Sequence, residues 1–294
     1  MKIITRRDFL YNATLAALFS LSGLSSIKKS KAEATKKTKV VLVRDENALE
    51  RKRLNQKVIQ RMFDDGIAAL LGEKDPIKAW KLLIKPDDVV GIKSNVWSPL
   101  PTPKEIEQAI KNRILDAGVQ EKHISIDDRG VLNNPIFKKS TVLINVRPLR
   151  THHWSGVGGC IKNYIMFVPF PFLYHNNSCA NLGAIWNSSR VKGKTKLNIL
   201  VILTPLFHGI GPHHFNPEYV WEYKGIILGK DPVSVDSTGV RILQAKRLSF
   251  FKKVRPISPL PTHIIIADKK FKLGPSDPEQ IDLIKIGWME DCLI

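Results

Sequence analysis

The side chains best suited to chemistry gather between residues 147 and 179. The run Arg147-Pro148-Leu149-Arg150-Thr151-His152-His153-Trp154-Ser155-Gly156-Val157-Gly158-Gly159-Cys160-Ile161-Lys162-Asn163 combines cations, imidazoles and glycines. Further on, His175 and Cys179 stand four residues apart. On a helix that spacing puts both on one face. Thiolate plus imidazole suits zinc, iron or copper. With His152 or His153 as a third donor, the cofactor implied is a transition metal, and the same histidines could transfer protons. Lys93, Asn95, Arg150, Lys162 and Asn163 form the expected ligand-binding set, because ammonium, guanidinium and amide groups recognise carboxylate or phosphate oxygens. Glycines allow a ligand close to the backbone and expose amide groups to anions. The plainer alternative is a turn with surface basics and a buried structural cysteine. G-x-G-G is not a phosphate-loop pattern, and two ligands do not make a metal site.

Other chemistry finds less support. His208, His213 and His214 form a second group without a recognised ligand spacing. There is no H-E-x-x-H, G-x-S-x-G or Walker loop. The three cysteines, Cys160, Cys179 and Cys292, are widely spaced and contain no C-x-x-C, so no iron–sulfur or zinc-ribbon site is readable.

These residues need elements to hold them. Strands are expected at Lys39–Val43, Asp88–Ile92, His123–Ile126, Thr141–Val146, Leu197–Leu203, Gly225–Leu228, His263–Ala267 and Ile281–Ile286. Leu54, Val58, Met62, Ile67 and Leu70 predict a helix, and Asp75-Pro76 opens a shorter one. Thr102-Pro103-Lys104-Glu105 reads as a capping box before Ile106, Ile110 and Ile114, with a stop at Gly118. Asp231-Pro232 begins a helix running to about Arg247. Alternating strands and helices predict an α/β fold with a largely parallel or mixed sheet and helices on both faces. Ligands in such folds gather beyond the carboxyl ends of the strands. Lys93 and Asn95, Asp127 to Arg129, Arg150 to His153, and His208 all follow strands there. The expected geometry puts His152 or His153 beside His175 and Cys179 in one cleft at that edge.

The N-terminus carries an address. Arg6-Arg7 precede a weakly apolar stretch from Ala13 to Ile27, then lysines, then Ala32-Glu33-Ala34. That order is a secretory signal, and the arginine pair with its serine-diluted apolar region favours twin-arginine export. The organisation expected is a signal over 1–34, a basic linker over 35–38 and one α/β domain over 39–294. The destination is periplasmic or otherwise extracytoplasmic, with the twin-arginine machinery as a partner. The formal charge is +19; six basic and two acidic residues lie in 1–34, which leaves +15 beyond them. So basic a chain favours anionic company: an anionic small molecule, an envelope polymer, or peripheral contact with anionic lipid. Export argues against nucleic acid, and no aromatic-basic stacking pattern is present.

The chain resembles domain-of-unknown-function family 362, in a subgroup with twin-arginine signals. The resemblance covers about Val40 to Leu243. Its motifs are Val89-Val90-Gly91-Ile92-Lys93-Ser94-Asn95, Leu149 to Asn163, His175 to Cys179, Gly211-Pro212, and Asp231-Pro232-Val233-Ser234-Val235-Asp236. Some relatives are fused to iron–sulfur modules, which implies redox chemistry, although this chain has no such module. It also departs from the pattern: Arg150 replaces a usual lysine, Gly158 a threonine, and Thr204-Pro205 an aspartate-alanine pair. The expected function is a redox or metal-assisted enzyme acting on an anionic small molecule. The alternative is a non-catalytic binding protein for an anionic ligand or envelope polymer.

Overall fold

The computed structural model describes residues 37–209 and 215–294. The expected signal, Gly211-Pro212, His213 and His214 lie outside the described residues. The first half contains β1 (Thr38–Arg44), β2 (Leu49–Glu50), β3 (Arg53–Leu54), α1 (Gln56–Leu71), α2 (Pro76–Leu83), β4 (Val90–Lys93), α3 (Lys104–Asp116), β5 (Ile124–Asp127) and α4 (Pro135–Lys139). Then come β6 (Val142–His152), β7 (Gly156–Gly158), α5 (Cys160–Asn163), α6 (Asn176–Cys179), α7 (Leu182–Trp186), β8 (Thr195–Leu206), β9 (Gly225–Gly229), α8 (Pro232–Phe251), α9 (Thr262–Lys269) and β10 (Ile281–Gly287).

The main sheet is mixed, with order β10-β1-β9-β8-β6-β4-β5. Along this path only β9 is reversed; it pairs antiparallel with both β1 and β8. The other adjacent pairs are parallel. One face is covered by α1, α2 and α3. Ile59, Phe63, Trp80, Ile106 and Ile110 pack there on Val41, Ile92, Ile144 and Ile199. The opposite face is covered by α4 to α9, through Phe137, Ile161, Leu182, Val235, Ile242 and Ile264. Each fully buried isoleucine or leucine is worth about 1.5–3 kcal/mol over its exposed state. Among the described residues, no helix is long and apolar enough to cross a membrane.

Three local expectations are corrected. The 102–105 capping box does not form. Helix α3 begins after Pro103 with no side-chain cap, and the Thr102 hydroxyl instead accepts from the Asn95 amide at 3.1 Å, closing the loop after β4. Residues 263–267 are helical, not extended. A short apolar run does not separate a strand from a buried helix by period, and these residues lie in α9, which packs on α7 and α8. Strand β6 runs six residues past Val146. Its extension pairs with β7 (Arg150 with Gly158, Thr151 with Val157, His152 with Gly156) and reaches Leu206 of β8. Pro148 sits at the register shift in this strand, a place that tolerates a missing amide.

The chain path creates a switch point. From β4 it crosses by α3 to β5 on one side, and from β5 by α4 to β6 on the other side of β4. Helix α3 belongs to one face and Phe137 of α4 to the other. The connection that leaves β4 leads to β5, and the one that leaves β6 runs through α5, α6 and α7 to β8 in the opposite direction, so the chain diverges at the carboxyl ends of β4 and β6, where open α/β sheets take ligands.

Candidate functional site

Lys93 is the last residue of β4 and is fully buried. Its ammonium pairs with Asp128, just beyond β5, and donates to the Ser94 carbonyl at 2.8 Å and Asn163 Oδ1 at 3.3 Å. Burial lowers Lys93 to about 8, although Asp128 favours its charge. Burial would lift the Asp128 carboxyl, but the Lys93 charge and the Val96 amide at 2.9 Å outweigh it and hold the group below its usual range.

Asn163 ties this pair to the neighbouring strand. Its Nδ2 donates to the Lys93 carbonyl, Asn145 Oδ1 and the Val146 carbonyl at 2.9–3.1 Å. Asn145 donates in turn to the Cys160 carbonyl and to Asn198 Oδ1, at 3.0 and 2.9 Å. This chain of buried amides spans β4, β6 and β8. Three polar residues inside apolar strands (Asn145, Arg147 and Asn198) were legible as anomalies, yet their types alone suggest no role.

The glycines of the 156–159 run serve packing. A side chain at Gly158 would meet the Arg147 guanidinium at 2.9 Å, and one at Gly159 the Asp236 carboxylate at 2.3 Å. Asp236 lies fully buried in α8 and caps α5, accepting from the Cys160 amide at 2.6 Å and the Ile161 amide at 2.9 Å. Burial pushes its carboxyl up to about 7 against those bonds. Asp231 caps α8 through the Ser234 amide at 2.7 Å, as expected.

Above this framework the cations are not neutralised. Arg147, Arg150 and Lys162 are 4, 4 and 2% exposed. Arg150 donates to Asn95 Oδ1 at 3.2 Å and lies 4.2 Å over the Trp97 ring. Arg147 Nε, Arg150 Nε and Lys162 Nζ have no hydrogen-bond partner among the described residues. Burial, then repulsion from Arg147, lowers Arg150 well below the ordinary guanidinium value. Burial brings Lys162 to about 8; the Cys179 thiol beside it works in the opposite direction. Four buried cations, Lys93 included, thus face two buried carboxyls, Asp128 and Asp236.

Burial keeps three of the imidazoles, His152, His175 and His263, from adding charge. His152 accepts from the Trp154 amide at 3.2 Å, and burial followed by Lys162 holds it far below its usual range. Burial, then Lys162, takes His175 to about 4. His263, fully buried and not singled out by its sequence context, sits in the same field at about 3, with burial the main cause and Lys162 next. His153 stacks with His152 at 4.9 Å and lies tilted against Trp154 at 4.0 Å; Trp154 stacks with His175 at 3.8 Å. The structure therefore gathers His152, His153, His175, Lys162 and Cys179 in one neighbourhood. His208 stands apart, at 2.9 Å from Arg247.

This arrangement does not fit a metal. Trp154 stacks on His175 and packs tilted against His153, and Cys179 Sγ points to the His175 carbonyl at 3.9 Å. Among the described residues no three His, Cys, Asp or Glu side chains are placed to hold an ion. Asn177, Ser178 and Cys179 also have φ of 50, 55 and 64°, so the segment is no regular helix presenting two ligands on one face. All three cysteines are free thiols, Cys160 and Cys179 buried. Buried cations without a carboxylate partner, His152 and His175 kept uncharged by burial, and the Trp97 ring under Arg150 suit an anion instead.

Residues 104–241 match the model of the family described as Domain of unknown function (DUF362). The matched stretch contains Asp128, Arg147, Arg150, Lys162, Asn163 and Asp236, and begins after Lys93 and Asn95. No curated protein and no solved structure matches the chain.

Proposed function

We propose that this protein binds an anionic small molecule at the switch point between β4 and β6, with Arg150 and Lys162 as its principal contacts and Arg147 behind them. One observation carries the reading: three almost fully buried cationic side chains keep nitrogen atoms without partners at the place where such sheets take ligands. Burying a cation without a partner is costly, and a carboxylate or phosphate at these nitrogens would offset that cost. Asn95 and Trp97 orient Arg150, and Asn163 and Lys93 fix the floor. In the enzymatic form of this proposal, Lys162 is the proton-transferring group, because burial lowers its ammonium to about 8. The rival is a binding protein without catalysis, for which the same cations suffice. Among the described residues the metal-assisted form has no donor set to support it.

Calorimetric titration with inorganic phosphate, sulfate and succinate tests the site. Saturable binding of at least one anion is expected, weakened about tenfold or more by Arg150→Ala and by Lys162→Ala, a loss typical of a charge-assisted contact. The ammonium is charged below its pKa, so affinity should fall as pH rises through about 8. Lys162→Arg should flatten that profile. Absence of saturable binding to all three anions, or binding indifferent to both alanine variants, would remove the proposal.

A further inference from the structure

A second basic surface lies at the end of α8, on the same edge of the sheet. From Ser237 to Ala267 the chain holds Arg241, Lys246, Arg247, Lys252, Lys253 and Arg255, and no Asp or Glu. Helix α8 stops at Lys252, whose φ of 54° gives a left-handed cap with its amide on the Leu248 carbonyl. The following turn is pinned back. Arg247 donates to the carbonyls of Arg255, Pro256 and Phe207 at 2.8, 2.9 and 3.0 Å. Phe207 follows β8 directly, which places this tip at the carboxyl edge.

The pinned turn pushes apolar groups outward. Leu248 is 52% exposed, Phe250 44% and Val254 79%. Lys252, Lys253 and Arg255 are exposed between them and enter no ion pair among the described residues. The Arg255 guanidinium lies 4.6 Å over the Phe251 ring, and Phe251 and Phe207 form the base under the tip. A polyanion in water would reward the basic residues but not the outward apolar ones. A bilayer with anionic headgroups rewards both, by apolar insertion at the acyl boundary and by attraction of each nearby lysine or arginine.

We propose that residues 247–256 dock the protein on a bilayer containing anionic lipid, with Leu248, Phe250 and Val254 entering the interface and Lys252, Lys253 and Arg255 among the headgroups. The full chain serves for the test, with Cys292→Ser and Val254→Cys carrying an environment-sensitive NBD fluorophore. Vesicles of phosphatidylcholine with 30 mol% phosphatidylglycerol (about one lipid in three, as for a strongly anionic surface) are compared with phosphatidylcholine alone. Blue-shifted NBD emission is expected on the anionic vesicles and not on the neutral ones, and should weaken as salt is raised. In the unlabelled chain, Phe250→Ser with Leu248→Ser should lower vesicle affinity, by about tenfold for each apolar group lost. Charge reversal by Lys252→Glu, Lys253→Glu and Arg255→Glu in the labelled chain should abolish the shift. An unshifted probe on vesicles that carry bound protein overturns the proposal, because attachment then runs through another segment. So does an equal shift on neutral lipid. Single-stranded RNA bound with unchanged affinity by the serine variant, with no NBD shift on lipid, would replace it by a polyanion surface.

Discussion

Lys93 and Lys162 carry the same charge and almost the same depth of burial, yet their energetics differ. Lys93 has Asp128, the Ser94 carbonyl and Asn163; Lys162 has no oxygen or nitrogen partner. Removing one member of a buried pair costs about 3–5 kcal/mol, because the other charge is left alone. Removing a buried charge that has no partner costs little or stabilises. Lys93→Met should therefore lower urea-unfolding stability at pH 7 by about 3–5 kcal/mol, while Lys162→Met leaves it unchanged or raises it. Equal losses would mean that Lys162 is compensated after all. The pH dependence has a definite sign. Both ammonium groups are lowered to about 8 in the folded state from an ordinary 10.5. Between those values the unfolded chain binds more protons, so stability rises with pH there. Lys162→Met should remove part of that rise, the part at Lys93 remaining.

At the scale of elements, the glycine pair before α5 shows how a helix cap can be supplied from far along the chain. Asp236 reaches from α8 to hold the first amides of α5, and Gly159 leaves the room for it. Asp236→Ala should cost on the order of 2–4 kcal/mol, since two buried N–H groups lose their acceptor. Gly159→Ala should cost about 1–3 kcal/mol by displacing the carboxylate. The two changes act through one contact, so the double variant should lose clearly less than the sum in denaturant melts. Additive losses would show that the glycine serves some other contact. The same cap aligns Lys162 and Asn163, two and three residues past Cys160, so anion affinity should fall alongside stability.

For the whole molecule, both ends of the described chain meet in one sheet: β1 lies between β10 and β9. Arg44 locks the junction, its guanidinium held between the Tyr223 and Trp288 rings at 4.1 and 4.3 Å and donating to the Glu290 carbonyl at 2.7 Å. Trp288→Ala should loosen the last residues and speed amide exchange of β10 without moving the anion affinity; a change in affinity would reveal coupling across the sheet. Export is a prediction at this scale too. A fusion of residues 1–34 to a reporter that requires folded transport should reach the periplasm, and Arg6→Lys with Arg7→Lys should retain it in the cytoplasm. Undiminished export of the double variant would count against the twin-arginine route.

The sequence by itself determined the alternation of strands and helices, most element positions, the α/β class and the edge where polar residues gather. Those features are local: periodicity, proline at first turns, and aspartate caps such as Asp75 and Asp231 are written in neighbouring residues. It also singled out Lys93, Asn95, Arg150, Lys162 and Asn163, since cations and amides after apolar strands stand out. Tertiary structure decided the rest. Whether His175 and Cys179 could serve a metal depended on Trp154, which stacks on His175 and packs against His153. Whether Gly158 and Gly159 face a ligand or a buried partner depended on Arg147 and Asp236. The extent of β6 depended on β7 and β8. Above all, which cations are neutralised is a property of neighbours distant in the chain. Lys93 meets Asp128 across two strands, whereas no carboxylate pairs with Lys162 among the described residues. Composition records how many charges there are, but their distances and burial set their energies.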